Sequence, residues 1–201
     1  MSKIKRVLIA LVVILVFIII FSLGKYFYKY YVITKFQRTI EDIRDSRNYQ
    51  LVFGDFCIIV KDEMYVKKDH NGSYVIIDNY GGNITTLLVD GCDEFYGDYN
   101  TDIYDIFSLN YTEYASTLLR IKSLLKYSIL EEENFDGKEC YRLTLVSGYG
   151  VVTTIYFEKE NYFPVAYIDD QGNVYKTQVN VGVVEDSDVS ADKIREKMIN
   201  D

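Results

Sequence analysis

The 201-residue chain holds one histidine, one proline and three cysteines, and each scarcity removes a class of function. His70 precedes Asn71-Gly72 and so sits beside a hairpin turn, in solvent. Without a second histidine, Ser-His and Cys-His nucleophile systems and histidine-based zinc sites are largely excluded. No GxSxG, GxxxxGK[ST] or GxGxxG string is present. Cys57, Cys92 and Cys140 are odd in number and lack CxxC spacing, which argues against a zinc site and against a disulfide scaffold. They read as small buried hydrophobes, with one disulfide plus a free thiol as the alternative in an external domain. The first of them stands far beyond the N-terminal apolar run, so no lipid-bearing cysteine follows that run. The expectation is a protein that is not an enzyme and uses no cofactor and no metal.

Positive charge is also short: 22 Lys and Arg face 30 Asp and Glu. The imbalance is uneven, because residues 25–47 hold six bases against three acids, whereas residues 48–201 carry a net charge of −14. Such a domain repels nucleic acid and anionic headgroups, so no nucleic-acid partner is expected.

What the chain does have is an unbroken apolar run from Val7 to Gly24, with Lys3, Lys5 and Arg6 before it and Lys25 and Lys29 after it. As a helix the run reaches about 27 Å, close to the roughly 30 Å hydrocarbon core of a bilayer. It reads as a transmembrane anchor. A cleaved signal peptide is the competing reading, since Ser22-Leu23-Gly24 offers small residues for cleavage, although the run exceeds the usual signal-peptide core. Tyr26, Phe27, Tyr28, Lys29, Tyr30 and Tyr31 then place amphipathic rings and an ammonium group where chain meets headgroup. Basic residues lie on both sides, so the positive-inside rule does not orient the span. A short basic start ahead of a single span behaves as a signal anchor, which places the C-terminal domain outside the cell membrane.

Between Lys25 and Arg47, Tyr28, Val32, Phe36, Ile40 and Ile43 recur at spacings of four, four, four and three. That is a helical stripe, read as a continuation of the span, closed by the turn-type side chains of Asp45, Ser46 and Asn48. From Tyr49 to Glu94, β-branched and aromatic runs are broken at Asp62-Glu63, Asn71-Gly72, Gly81-Gly82 and Asp90-Gly91, the spacing of consecutive hairpins. Within them Tyr74, Ile76 and Asp78 alternate with Val75, Ile77 and Asn79, so both faces are partly apolar. Residues 111–127 return to helical period through Tyr111, Tyr114, Leu118, Ile121 and Leu125, with Thr112 as a candidate cap. Strands follow: Tyr141, Leu143 and Leu145 oppose Arg142 and Thr144, and Val179, Val181 and Val183 oppose Gln178, Asn180 and Gly182. Asp136-Gly137 and the stretch from Asp169 to Asn173 supply tight turns, and Pro164 opens a strand. From Ser187 the chain forms a last short helix, with Ser190 as N-cap, or frays.

The order is helix, about four strands, helix, about five strands, with no βαβ alternation. It describes an α+β fold, a curved antiparallel β-sheet (half-barrel) packed on helices behind one N-terminal transmembrane helix. The expected divisions are a short cytoplasmic tail (1–6), the anchor (7–24), a juxtamembrane helix (25–47), the sheet-plus-helix domain (48–186) and a C-terminal tail (187–201).

Two acidic groups invite a chemical reading. Asp98-x-Asn100-x-Asp102 begins like a calcium loop, but Ile103 stands where glycine is needed and Leu109 where a bidentate glutamate is needed. Glu131, Glu132 and Glu133 read as an exposed strand edge, with Glu132 pointing away from its neighbours. The remaining site is geometric. A sheet curved around a helix leaves either ordinary core or an apolar hollow for a ligand, lined by Tyr141, Leu143, Leu145, Ile155, Phe157, Val179, Val181, Leu118 and Ile121.

Asn48-Tyr49 leading from helix to strand, the string from Asp136 to Leu143, and Phe163-Pro164-Val165 followed by the turn from Asp170 to Asn173 resemble the LolA/LppX lipoprotein-carrier family and its membrane-anchored Gram-positive relatives. The resemblance implies a half-barrel over helices that holds acyl chains without covalent chemistry. The chain departs from it in carrying a transmembrane helix. The expected function is therefore a membrane-anchored extracytoplasmic domain that binds a hydrophobic ligand, a lipid or a lipoprotein. An envelope protein partner, met on the sheet edge or acidic face without any small ligand, is the alternative.

Overall fold

The computed structural model describes residues 3–68, 74–77, 85–89, 92–96, 103–107, 126–146 and 152–200. Its first element, α1 (Lys3–Ser46), is one unbroken helix of 44 residues, about 66 Å long. From Leu8 onward it is long and apolar enough to cross a membrane. Its apolar first half is exposed, while Val32, Ile33, Phe36, Ile40 and Ile43 in its second half are buried. The stripe expected from the spacing thus belongs to the same helix as the apolar run. The helix stops where Arg47 takes a left-handed φ of 49°, and the Ser46 hydroxyl donates to the Ile43 carbonyl at 2.6 Å.

Among the described residues eleven strands follow: β1 (Asn48–Phe53), β2 (Phe56–Lys61), β3 (Met64–Lys68), β4 (Tyr74–Ile77), β5 (Thr85–Val89), β6 (Cys92–Tyr96), β7 (Ser128–Phe135), β8 (Lys138–Val146), β9 (Val152–Glu158), β10 (Pro164–Ile168) and β11 (Val174–Val181). They form one sheet in the order β6-β5-β4-β3-β2-β1-β11-β10-β9-β8-β7, antiparallel at each pairing. Two meanders are therefore joined where β1 meets β11, with Tyr49 opposite Val181 and Leu51 opposite Val179. The fold is α+β with a curved antiparallel sheet, as the element order implied.

Among the described residues the first meander has six strands where about four were expected. One reason is the turn at Gly54-Asp55, which separates β1 from β2 with Phe53 opposite Phe56. Gly54 has φ +52° and an added Cβ would lie 3.0 Å from the Tyr175 ring, so the turn depends on a residue that needs no side-chain room. A short helix, α2 (Ile103–Phe107), follows β6, and the sequence pattern did not single it out. The helix expected over 111–127 lies outside the described residues apart from Lys126 and Tyr127. His70 and the candidate calcium positions Asp98, Asn100 and Asp102 lie outside them too.

Among the described residues, apolar packing lies on both faces of the sheet. On the inner face, alternate residues Tyr49, Leu51 and Phe53 of β1, Ile58 and Val60 of β2, and Tyr65 of β3 join the α1 stripe in one core. On the outer face, Val66 and Ile76 are capped by Val184, Val189 and Ile194. The last two come from α3 (Asp186–Val189) and α4 (Ala191–Asn200). The segment beyond Ser187 is thus folded onto the sheet. Ser190 caps α4, its Oγ accepting from the Lys193 N–H at 3.5 Å, and Lys61 pairs with Asp186 at 2.6 Å to tie α3 to β2.

Candidate functional site

Six of the expected lining residues come together on the inner face: Tyr141, Leu143, Leu145, Ile155, Phe157 and Val179. β8 and β9 set them side by side, Tyr141 opposite Phe157 and Leu143 opposite Ile155. The space in front of them is taken by α1. Phe36 stacks on Phe157 with ring centroids 4.4 Å apart and planes 20° from parallel. Val181 was expected with this group, but it is 40 % exposed. It ends β11 just before Gly182, whose φ of 75° turns the chain away, so it stands on the right face beyond the core. Leu118 and Ile121 lie outside the described residues.

At one end of the inner face the core is aromatic. The Phe53 ring lies 5.2 Å from Phe56, 5.2 Å from Tyr175, 5.8 Å from Tyr167 and 6.0 Å from Phe107 of α2. Phe53 and Phe107 are buried, whereas Phe56, Tyr167 and Tyr175 are only partly so.

A polar junction ties α1 to β7 and β8 just beyond the apolar run. The Tyr28 hydroxyl donates to Glu132 Oε1 at 2.9 Å and lies 3.1 Å from the Tyr141 hydroxyl. A phenol has one proton, so with Tyr28 donating to the carboxylate it is Tyr141 that donates to the Tyr28 oxygen. Lys159 Nζ donates to Glu132 Oε2 at 2.5 Å and rests 5.5 Å from the Tyr141 ring centroid. The Lys29 ammonium donates to the Ser128 carbonyl. On the other side of β7, Arg142 pairs with Glu133 at 3.3 Å and Glu131 at 3.6 Å. The three glutamates thus alternate as expected, with Glu132 on the face opposite its neighbours.

These contacts shift the groups that make them. The hydrogen bond with Tyr141 pushes the Tyr28 phenol up, helped by burial and by Glu132. Burial pushes the Lys29 ammonium down. The hydrogen bond from Lys159, then that from Tyr28, holds the Glu132 carboxyl below its usual 4.5. An acid depressed by folding adds stability that is complete above its unfolded value and is lost as pH falls through the folded one. Domain stability should therefore decline as pH drops below about 4.5. With Glu132→Gln the share of that decline due to this group should vanish, by well under 1 kcal/mol because the pair faces solvent. Urea midpoints at several pH values between 3 and 6 check it, and identical slopes for the two proteins would refute it.

Sequence reasoning placed Tyr28 on the stripe and Glu132 on a strand edge, but did not pair them. The available signal was the four-residue step from Tyr28 to Val32, which puts a hydroxyl in line with the buried face.

No family model matches the chain, and no curated protein matches it. Among solved structures, the chain is similar to an uncharacterized conserved protein from Thermus thermophilus at 8 % identity and a TM-score of 0.44, over 76 % of this chain and 91 % of that one. It is also similar to MucB, at 13 % identity and a TM-score of 0.38 over 79 % of this chain. The match spans 62 % of the MucB chain. A LolA superfamily protein from Nitrosomonas europaea is similar at 9 % identity and a TM-score of 0.30, over 79 % of this chain and 97 % of that one. At TM-scores below 0.5 these likenesses transfer no function.

Proposed function

We propose that this chain is a single-span, non-enzymatic envelope protein whose extracytoplasmic domain is held at a fixed station on the membrane and works by contact with other envelope proteins. The continuity of α1 carries this reading: one helix supplies both the apolar run and the buried stripe, with no linker between them. A carrier has to leave the bilayer with its cargo, and a domain whose core contains its own anchor helix cannot. Val32, Ile33, Phe36, Ile40 and Ile43 pack in one core with the inner-face residues Tyr141, Leu143, Ile155 and Phe157, which supports a face used for packing over one kept for cargo. The basic start ahead of the span supports an external domain, and the shortage of nucleophile and base motifs supports a non-catalytic role.

A hydrophobic or lipidated ligand is the second reading, favoured by the aromatic end around Phe53, where the partly buried rings of Phe56, Tyr167 and Tyr175 meet a helix of only five residues. Its affinity would come from apolar burial at about 25 cal/mol per Å², less the costs of ordering. Native mass spectrometry of a chain beginning at Lys25, kept free of detergent, separates the two. The bare polypeptide mass supports protein contact, and retained mass of lipid size replaces it with the ligand reading.

A further inference from the structure

We infer that β7 is the membrane-facing edge of the sheet and that the start of the strand, with Ile129 and the preceding Tyr127 foremost, rests in the phospholipid headgroup layer as a second attachment beside the span. The inference rests on the proposed anchoring by α1.

Three observations place the strand. First, among the described residues β7 is the last strand of the sheet, paired with β8 alone. Second, Lys29 and Tyr28 are consecutive on α1, yet they hold Ser128 and Glu132. Residues four apart on a strand are separated by about 13 Å, whereas consecutive helix residues differ in height by about 1.5 Å. The start and the middle of β7 are therefore both tied to one level of α1, that of Tyr28 and Lys29. Third, the sheet climbs away from β7. Phe157 of β9 meets Phe36, eight residues or about 12 Å further up the helix.

The height follows from the same arithmetic. Tyr28 and Lys29 stand four and five residues beyond Gly24, about 6–8 Å past the end of the apolar run. The headgroup region adds about 5–8 Å to each side of the hydrocarbon core. The start of β7 lies at that level, and its side chains suit it. Tyr127 is 40 % exposed and Ile129 is 54 % exposed, and Lys126 Nζ sits 4.8 Å from the Tyr127 ring centroid. On α1 Tyr26, Phe27, Tyr30 and Tyr31 are exposed as well, rings of the kind found at headgroup depth, while Ile129 stands on the face of β7 turned away from α1. The domain's negative charge works against attraction to anionic lipid. Attachment thus comes from apolar and aromatic insertion, and Glu131, Glu132 and Glu133 are held by Arg142 and Lys159 instead of facing the lipid unpaired.

Depth-dependent quenching tests this in the full chain reconstituted in phosphatidylcholine vesicles. A fluorescent amino acid is placed by stop-codon suppression at position 27, 129 or 174, and the lipids carry a nitroxide on the headgroup. Val174 is an exposed residue of β11, four strands from β7. Quenching at 129 should approach that at 27 and exceed that at 174 by at least threefold. Strong quenching at 27 with equal, weak quenching at 129 and 174 overturns the inference while leaving the anchor in place. No quenching at 27 removes the anchor, and the inference falls with it.

Discussion

A chain that begins at Asn48 should fail to fold, whereas one that begins at Lys25 should fold and unfold cooperatively. The difference is the second half of α1, which contributes Val32, Ile33, Phe36, Ile40 and Ile43 to the core. Burying a large apolar side chain stabilises by about 1.5–3 kcal/mol, so five of them supply on the order of 10 kcal/mol. A whole domain is stable by only about 5–15 kcal/mol. Removing the stripe therefore consumes most or all of the margin and leaves Leu143, Ile155 and Phe157 facing water. Far-ultraviolet circular dichroism through a urea titration reads both chains. A sharp, two-state transition from the chain starting at Asn48 would show that the sheet holds itself together and that α1 is merely attached to it. The same pair of chains bears on the signal-peptide alternative, because cleavage after Gly24 would spare the stripe and leave a folded, soluble product.

Within the intact protein, Phe36→Ala should cost about 3–5 kcal/mol, near the top of the range for single core substitutions. Phe36 is fully buried and stacked on Phe157, so truncation loses transfer energy, leaves a cavity, and removes a ring pair worth about 0.5–1.5 kcal/mol. The cavity cannot close by moving the helix, because Tyr28 and Lys29 pin it to β7 and β8 on one side. Phe36→Leu should recover much of the loss by refilling the volume. Urea midpoints at constant slope measure both. A cost below about 1 kcal/mol for the alanine variant would mean that the interface between α1 and β9 is loose, and would reopen the inner face to a ligand.

Much of the fold was legible because its signals are local. The stripe from Tyr28 to Ile43 is a period of about 3.6 residues and reads as helix without any knowledge of what it touches. Tyr141, Leu143 and Leu145 alternate with polar partners, and the structure buries all three. Asp136-Gly137 forms the two-residue hairpin turn it resembled, with φ values of 52° and 82°. The first meander was undercounted because Gly54-Asp55 sits inside an apolar run, where one glycine weighs little against its neighbours. Val181 stands on the face that alternation assigned, opposite Tyr49, yet it is exposed, because alternation assigns a face and is silent on where the covering helix ends.

The amino-acid sequence alone determined that a greasy helix leads this chain, that one-sided antiparallel strands follow it, and that histidine- and cysteine-based catalysis has almost nothing to work with. These are consequences of side-chain volume, period and inventory, which neighbours in the chain express to one another. Only the tertiary structure decided that the helix packs on the inner face of the sheet it enters, that β7 meets α1 at Tyr28 and Lys29, and that the C-terminal helices pack on the outer face of β3 and β4. Those outcomes depend on partners far apart in the chain, such as Tyr28 and Glu132 at a separation of 104 residues. No local pattern encodes which of several apolar faces will bury which, because that choice is made by the volume and register of the whole assembled sheet.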